Sequence, residues 1–331
     1  MSDVVVGLDV HLKSTQVTVM KNDLIGEIVK RERVGTNKAE LRKCLESVPK
    51  GSKVALESVG FCWPWIDFLE ELGYDVLLAN PLRVKLRAED IKNDKVDSKT
   101  LAELLRVNWL PTCYVPPTEL RWLRSLLRHR AYRTRLSTSV SNRSKSEFRK
   151  RDIGLDVNLG TIKGCKEAVG LDVFEVSQNM ELLDLIAKQS KQVERMLWEK
   201  YGKIRSVELL MSISGVGFIS ALTLYAEICD IKRFSSAEKL AHYAGLVPRV
   251  RQSGEHSCMG RESKGDKWLK WILIEAAWSH VRFCPEGHLA GVYADACRRK
   301  KDKAKAIKVV ARKLVNVVWY VWTCEKEFLV K

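Results

Sequence analysis

No stretch of this chain approaches the run of about 20 apolar residues that spans a bilayer as a helix, so no membrane-spanning helix is expected. Met1-Ser2-Asp3 lacks the basic region and cleavage site of a secretory signal. The cysteines (Cys44, Cys62, Cys113, Cys165, Cys229, Cys258, Cys284, Cys297 and Cys324) are odd in number and form no C-x-x-C pair. They are expected to be reduced thiols of a cytoplasmic protein rather than a disulfide framework. There is no internal repeat and no low-complexity tract. Acid is also in short supply: 41 Asp and Glu face 57 Lys and Arg over 331 residues, a net charge of +16. That imbalance favours a polyanionic partner, and nucleic acid is the commonest for a basic protein. The apolar fraction of 46% is ordinary and sufficient for a sizeable core.

The few acids matter by position. Asp9 lies inside Val4-Val5-Val6-Gly7-Leu8-Asp9-Val10, a run that reads as a buried strand, and Glu57 ends a second run, Val54-Ala55-Leu56-Glu57. Asp94 and Asp97 are three apart, hence on one face of a helix continuing through Leu101, Leu104 and Leu105. Burying a lone carboxylate costs several kcal/mol unless it is paired or bound to a cation. An acid at a strand end is commonly solvated, and an Asp near a helix start is commonly a cap. Asp9, embedded in apolar sequence, fits neither of those ordinary roles.

The chain divides into three parts. Residues 1–110 alternate strands (Val4–His11, Thr15–Met20, Ile25–Val34, Lys53–Glu57, Asp75–Ala79) with helices (Asn37–Ser47, Trp63–Leu72, and one from about Asp97). This pattern predicts a mixed sheet with helices on its faces, and acids gathering where the central strands end. Residues 111–205 begin at Pro111, Pro116 and Pro117 and contain two long helical patterns, Thr118–Arg151 and Ser177–Tyr201, around a looser glycine-bearing stretch. They suggest an antiparallel hairpin or coiled coil that could also serve as an oligomer contact. Between Arg121 and Arg151, including Arg121, Arg124, Arg128 and Arg135, eleven residues are basic and one, Glu147, is acidic. A face of that kind suits a phosphate backbone better than plain solvation. Residues 206–331 read as mostly helical. Ser214-Gly215-Val216-Gly217 before an apolar helix has the form of a helix-hairpin-helix element, whose Gly215 and Gly217 would let backbone N–H groups approach a phosphate; a tight turn between packed helices explains them equally well. Lys264, Lys267 and Lys270 recur every third residue, and Arg298–Lys313 holds nine basic residues ahead of an apolar helix, Leu314–Trp322. His280, Cys284, His288 and Cys297 are zinc-ligand types, but Pro285 and Gly287 interrupt them and packing is the simpler reading.

Taken in order, Gly7-Leu8-Asp9-Val10-His11, Ala55-Leu56-Glu57-Ser58 and Asn93-Asp94-Lys95-Val96-Asp97-Ser98-Lys99 resemble the DEDD transposases of bacterial insertion sequences. The second half agrees: Ile213-Ser214-Gly215-Val216-Gly217, Leu240-Ala241-His242-Tyr243-Ala244-Gly245-Leu246-Val247-Pro248, Gln252-Ser253-Gly254 and Lys264-Gly265-Asp266 follow in that family's order. The resemblance implies a ribonuclease-H-like, RuvC-like first domain, a basic helical linker and a helical transposase domain. It implies that Asp9, Glu57, Asp94 and Asp97 bind Mg²⁺ or Mn²⁺, and that Ser253 forms a covalent link to DNA. It further implies a structured guide RNA pairing with donor and target DNA, and a dimer or tetramer acting in the bacterial cytoplasm at the nucleoid. Asp266 stands where that family commonly has Asn.

On sequence alone a Ser-Gly pair is usually a turn, and His256 three residues on proves no base. Arg249, Arg251 and Arg261 nearby could stabilise charge on a phosphate. Two carboxylate-bridged divalent ions can activate one oxygen and stabilise another in phosphoryl transfer, and hard carboxylate oxygens suit magnesium. The same acids would equally serve a structure-selective nuclease of the Holliday-junction type with water as nucleophile. An actin-like phosphotransferase, suggested by Gly7-Leu8-Asp9-Val10 and Lys13-Ser14-Thr15, lacks a second phosphate loop and leaves the charge unexplained.

Overall fold

The computed structural model describes residues 3–85, 94–154, 158–159, 161–253, 256–262 and 264–328; for residues 94–96, 162, 249–253 and 256–262 it describes the backbone only. The chain forms two compact units, Met1–Val115 and Pro116–Lys331. Among the described residues, no helix is long and apolar enough to cross a membrane.

The first unit is built on strands β1 (Val4–Val10), β2 (Ser14–Lys21), β3 (Ile28–Gly35), β4 (Lys53–Glu57) and β5 (Asp75–Ala79), with helices α1 (Lys38–Leu45), α2 (Trp63–Glu71), α3 (Pro81–Val84) and α4 (Asp94–Arg106). The sheet order is β3-β2-β1-β4-β5. β1 to β3 run antiparallel as a meander, while β4 and β5 run parallel to β1. This is the mixed sheet with helices on its faces that the sequence pattern predicts. β1 is covered on both faces because its residues alternate between two cores. Val6, Leu8 and Val10 join Leu41, Leu45, Ile66 and Phe68 under α1 and α2. Val5 joins Ala55, Leu101, Ala102 and Leu105 under α4.

On that second face α4 lies against the β1 backbone at Gly7. A β-carbon there would overlap the Ser98 carbonyl oxygen and stand 2.7 Å from the Ala102 nitrogen. Ser98 is fully buried and shares a 2.9 Å hydroxyl hydrogen bond with Thr18, the β2 partner of Gly7. At the other end of the helix, Arg106 donates to the carbonyls of Asp23 and Leu24, in the hairpin beyond Lys21. Because Lys21 pairs with Val4 at the start of β1, α4 runs antiparallel to β1. Its first turn therefore reaches the strand end where Asp9 sits.

The second unit contains α5 (Thr118–Lys150), α6 (Ile162–Val169), α7 (Phe174–Tyr201), α8 (Arg205–Met211), α9 (Phe218–Ile228), α10 (Ala237–Tyr243), α11 (Lys267–Phe283), α12 (His288–Lys300) and α13 (Lys303–Cys324), with a hairpin of β6 (Pro248–Ser253) and β7 (His256–Glu262). The stretch expected to be loose holds α6, which Thr161 caps by accepting the Gly164 N–H. The basic stretch is split between the last turn of α12 and the first half of α13, and α13 runs on without a break through the apolar residues after Leu314: Asp302 caps it, and Ile307, Val310, Leu314, Val318 and Val321 make its buried stripe. Leu120, Leu123, Leu127, Leu197 and Tyr201 of the long hairpin share a core with the helices beyond 205.

That core contains a charge. Glu227 of α9 is 2% exposed and receives Arg124 at 3.1 Å and Arg128 at 2.9 Å, both from α5. Arg124 also donates to the carbonyls of Ala226 and Glu227. Burial pushes the Glu227 carboxyl up from its usual range, and the two guanidiniums pull it back.

Two stability measurements follow. Glu227→Ala leaves Arg124 buried without its counter-charge and should cost about 3–5 kcal/mol in urea denaturation. Gly7→Ala should cost about 1–3 kcal/mol by overpacking α4 on β1. A Glu227→Ala loss no larger than that of an exposed carboxylate would show that α5 is not held by this pair.

Candidate active site

The parallel register of β1 and β4 matches Val5 with Lys53, Val6 with Val54, Gly7 with Ala55 and Leu8 with Leu56. One step on, Asp9 and Glu57 occupy equivalent positions at the carboxyl ends of neighbouring strands. Alternation puts them on the same face as Gly7 and Ala55, the face that α4 covers. Asp9 is 5% exposed and Glu57 is half-buried. Asp97, also half-buried, lies in the first turn of α4, one turn before the buried Leu101. Asp94 opens that helix, and its side chain lies outside the described residues. Topology thus brings Asp9, Glu57 and Asp97 to one end of one sheet face, with the backbone of Asp94 in the same helical turn.

His11 adds a group that the sequence did not single out: its Nε2 is 3.0 Å from Asp9 Oδ2, with the imidazole half exposed at 53%. Among the described residues no three His, Cys, Asp or Glu side chains are grouped closely enough to hold a metal ion. The donor types fit a hard divalent cation, since Asp9, Glu57 and Asp97 offer carboxylate oxygens at one end of one sheet face. His280, Cys284, His288 and Cys297 make no such group either. His280 is 3% exposed and bonded through Nδ1 to the Ser214 carbonyl at 2.7 Å, a packing role.

Ser253 ends β6, in a two-stranded hairpin. Ser253 pairs with His256, Gln252 with Ser257 and Arg251 with Cys258. The side chains of Ser253, Arg249, Arg251 and His256 lie outside the described residues. The feet of this ribbon are pinched together: a β-carbon on Gly265 would overlap Gly245 N and stand 2.6 Å from Tyr243 O. Asp266 then donates its N–H to Tyr243 O and caps α11 by accepting from Trp268 N and Leu269 N. Lys264 and Lys267 are exposed beside this foot.

The basic helix α5 is less available than its composition suggests. Arg124 is a correction: at 12% exposure it is committed to Glu227, as is Arg128, which also lies 5.5 Å from the Trp268 ring. Arg135 stacks on the same ring at 5.3 Å. Arg121 reaches Thr118 within its own helix, and Arg130 pairs with Glu194 of α7. Exposed cations remain nearer the far end of α5, at Arg143 and Arg149. Gly215, at φ +86°, is a packing glycine whose β-carbon would strike the His280 backbone. Gly217 caps α9, and a β-carbon there would meet open space.

A profile of DEDD transposases of the IS110 type matches residues 6–149, and the profile described as Transposase IS116/IS110/IS902 family matches residues 207–290. A probable family 20 transposase of Pseudomonas aeruginosa is 27% identical over 75% of this chain and 76% of its own. The transposase for insertion sequence element IS1111A of Coxiella burnetii is 22% identical over 92% of this chain and 85% of its own. The transposase for insertion sequence element IS1328 of Yersinia enterocolitica is 26% identical over 82% and 83%. Among solved structures, T. thermophilus RuvC in complex with Holliday junction substrate is similar at a TM-score of 0.27 and 15% identity, covering 33% of this chain and 99% of that one. With the matched regions lying on both the acid-bearing unit and the unit that carries Ser253, the chain belongs to the IS110/IS116/IS902 family of DEDD insertion-sequence transposases.

Proposed function

We propose that this transposase cuts and rejoins DNA through a covalent link to Ser253, with Mg²⁺ or Mn²⁺ held by Asp9, Glu57, Asp94 and Asp97. The observation that carries the reading is the buried Asp9 carboxylate, aligned with Glu57 at the end of two parallel strands beneath the Asp-bearing first turn of α4. When bound, the metal supplies charge stabilisation for a phosphate oxygen. Ser253 Oγ attacks the phosphorus, a serine–phosphate ester forms, and the bond to one sugar oxygen breaks to release a hydroxyl. Attack by a sugar hydroxyl of the exchange partner restores a phosphodiester and frees the serine. Each step exchanges one phosphate ester for another, so no outside energy source enters. Arg249 and Arg251, on the strand that leads to Ser253, are positioned in sequence to neutralise the phosphate charge.

The net charge of +16 supports a nucleic-acid substrate. In this reading donor and target DNA are selected by a structured RNA encoded by the element. Exposed Lys264, Lys267, Arg143 and Arg149 contribute backbone contacts, and Arg135 does so beside Trp268. Holding several DNA ends at once calls for a dimer or tetramer.

The decisive assay traps the adduct on a suicide DNA substrate and reads it by denaturing gel and mass spectrometry. Wild-type protein with Mg²⁺ should yield a DNA-linked peptide containing Ser253, and Ser253→Ala should yield none. Cleavage that persists in Ser253→Ala without an adduct would instead establish water as nucleophile. Asp9→Asn should slow adduct formation by roughly a hundredfold or more, because removing one electrostatic stabiliser of a transition state commonly costs that much. Sequencing of co-purified RNA should return one discrete structured species; random fragments would argue against a guide.

A further inference from the structure

An open cavity of about 560 Å³ lies beside His11 at the acid end of the sheet, lined by apolar Val10, Leu12, Val59 and Phe61 and by polar His11, Lys13, Ser14 and Arg33. Its size falls within the range of small-ligand sites. It adjoins the acid end through one residue: His11 lines it and contacts Asp9 at 3.0 Å. The floor is apolar, since Val59 and Phe61 pack against the core under α1 and α2 and keep one side exposed. Leu12, which also lines it, is 78% exposed. The wall is rigid, because His11 N bonds Ser14 O, Thr36 N bonds Lys13 O, and Thr36 Oγ1 donates to His11 O. Arg33 is held across Ser14 Oγ by two N–H groups at 3.1 and 2.9 Å. An apolar, aromatic floor with a cationic edge matches an unpaired nucleobase and its flanking phosphates. A paired base offers no open ring face to Phe61, and a second +16 copy of this chain would be repelled by Lys13 and Arg33.

We propose that this cavity seats one unpaired base of the DNA strand passing the acid end, with Phe61 and Val59 against the ring and Lys13 and Arg33 on the adjoining phosphates. This rests on the reading of the acids as the strand-cutting site and adds how the strand is held there. Seating an extruded base fixes the backbone register against Asp9 and Glu57. The unstacking cost of a few kcal/mol is offset by stacking in the cavity.

The test uses full-length protein in EDTA with two probes, a fully paired duplex and the same duplex with a short unpaired bubble carrying 2-aminopurine. Wild type should bind the bubble more tightly and change its fluorescence. Phe61→Ala should weaken bubble binding about tenfold and remove the fluorescence change, leaving the paired duplex unaffected; Phe61→Tyr should restore both. Lys13→Ala with Arg33→Ala, both on exposed side chains, should lower the log–log salt slope by about 1.4, roughly 0.7 for each single-strand phosphate that is no longer neutralised. Equal affinity and equal fluorescence in wild type and Phe61→Ala would overturn the cavity assignment alone. A defect that extends equally to paired duplex and persists in Phe61→Tyr would do the same. Failure of the wild type to bind either DNA would overturn the strand-cutting reading as well.

Discussion

The close approach of α4 to β1 at Gly7 is the constraint on which the acid end of this protein depends. Asp9 and Glu57 are fixed relative to each other by strand pairing, which is rigid and local. Asp94 and Asp97 come from a helix 85 to 88 residues beyond Asp9 and 37 to 40 beyond Glu57, brought to the same strand end because that helix lies on the sheet without a side chain intervening. The Ser98–Thr18 hydroxyl bond sets its height and the Arg106 contacts set its direction. A β-carbon at residue 7 would lift the helix, and a displacement of the order of 1 Å in a catalytic constellation can cost about a hundredfold in rate.

The second unit solves a different problem. Its long basic helix must be held against an apolar core despite its charge. The buried Glu227 does this with Arg124 and Arg128, while Trp268 takes the cation faces of Arg128 and Arg135. Part of the charge that composition assigns to nucleic acid therefore serves assembly within the chain. The same packing fixes the start of α11, and with it the foot of the ribbon that ends in Ser253: Gly245 and Gly265 touch backbone to backbone there, and Asp266 caps the helix.

Much of the first unit was legible because each strand writes its burial in its residues. Val4 to Val10 are apolar on both faces, as a central parallel neighbour requires, and Asp9 stood out against them. The meander followed by helix–strand repeats gave the sheet its class. The antiparallel lay of α4 on Gly7 was not legible, since glycine in a strand signals a close approach without naming the partner. Arg124 could not be told from a surface arginine, because its partner Glu227 is 103 residues away and looks, by itself, like any acid in a helix. The hairpin around Ser253 was missed because Arg249, Arg251, Gln252, Ser253, His256 and Ser257 offer no apolar alternation to mark a strand. The ordering of α6 was hidden by the glycines around it.

In the proposed site, helix-on-strand packing at Gly7 is what assembles a divalent-metal centre from acids distant in sequence. Titrating wild type and Gly7→Ala with Mn²⁺ by electron paramagnetic resonance, alongside circular dichroism to establish that both are folded, probes that dependence. Saturable binding by the wild type and a large loss of affinity in the folded variant are expected. Equal Mn²⁺ affinity in the two proteins would show that the acids do not rely on this packing to hold a metal.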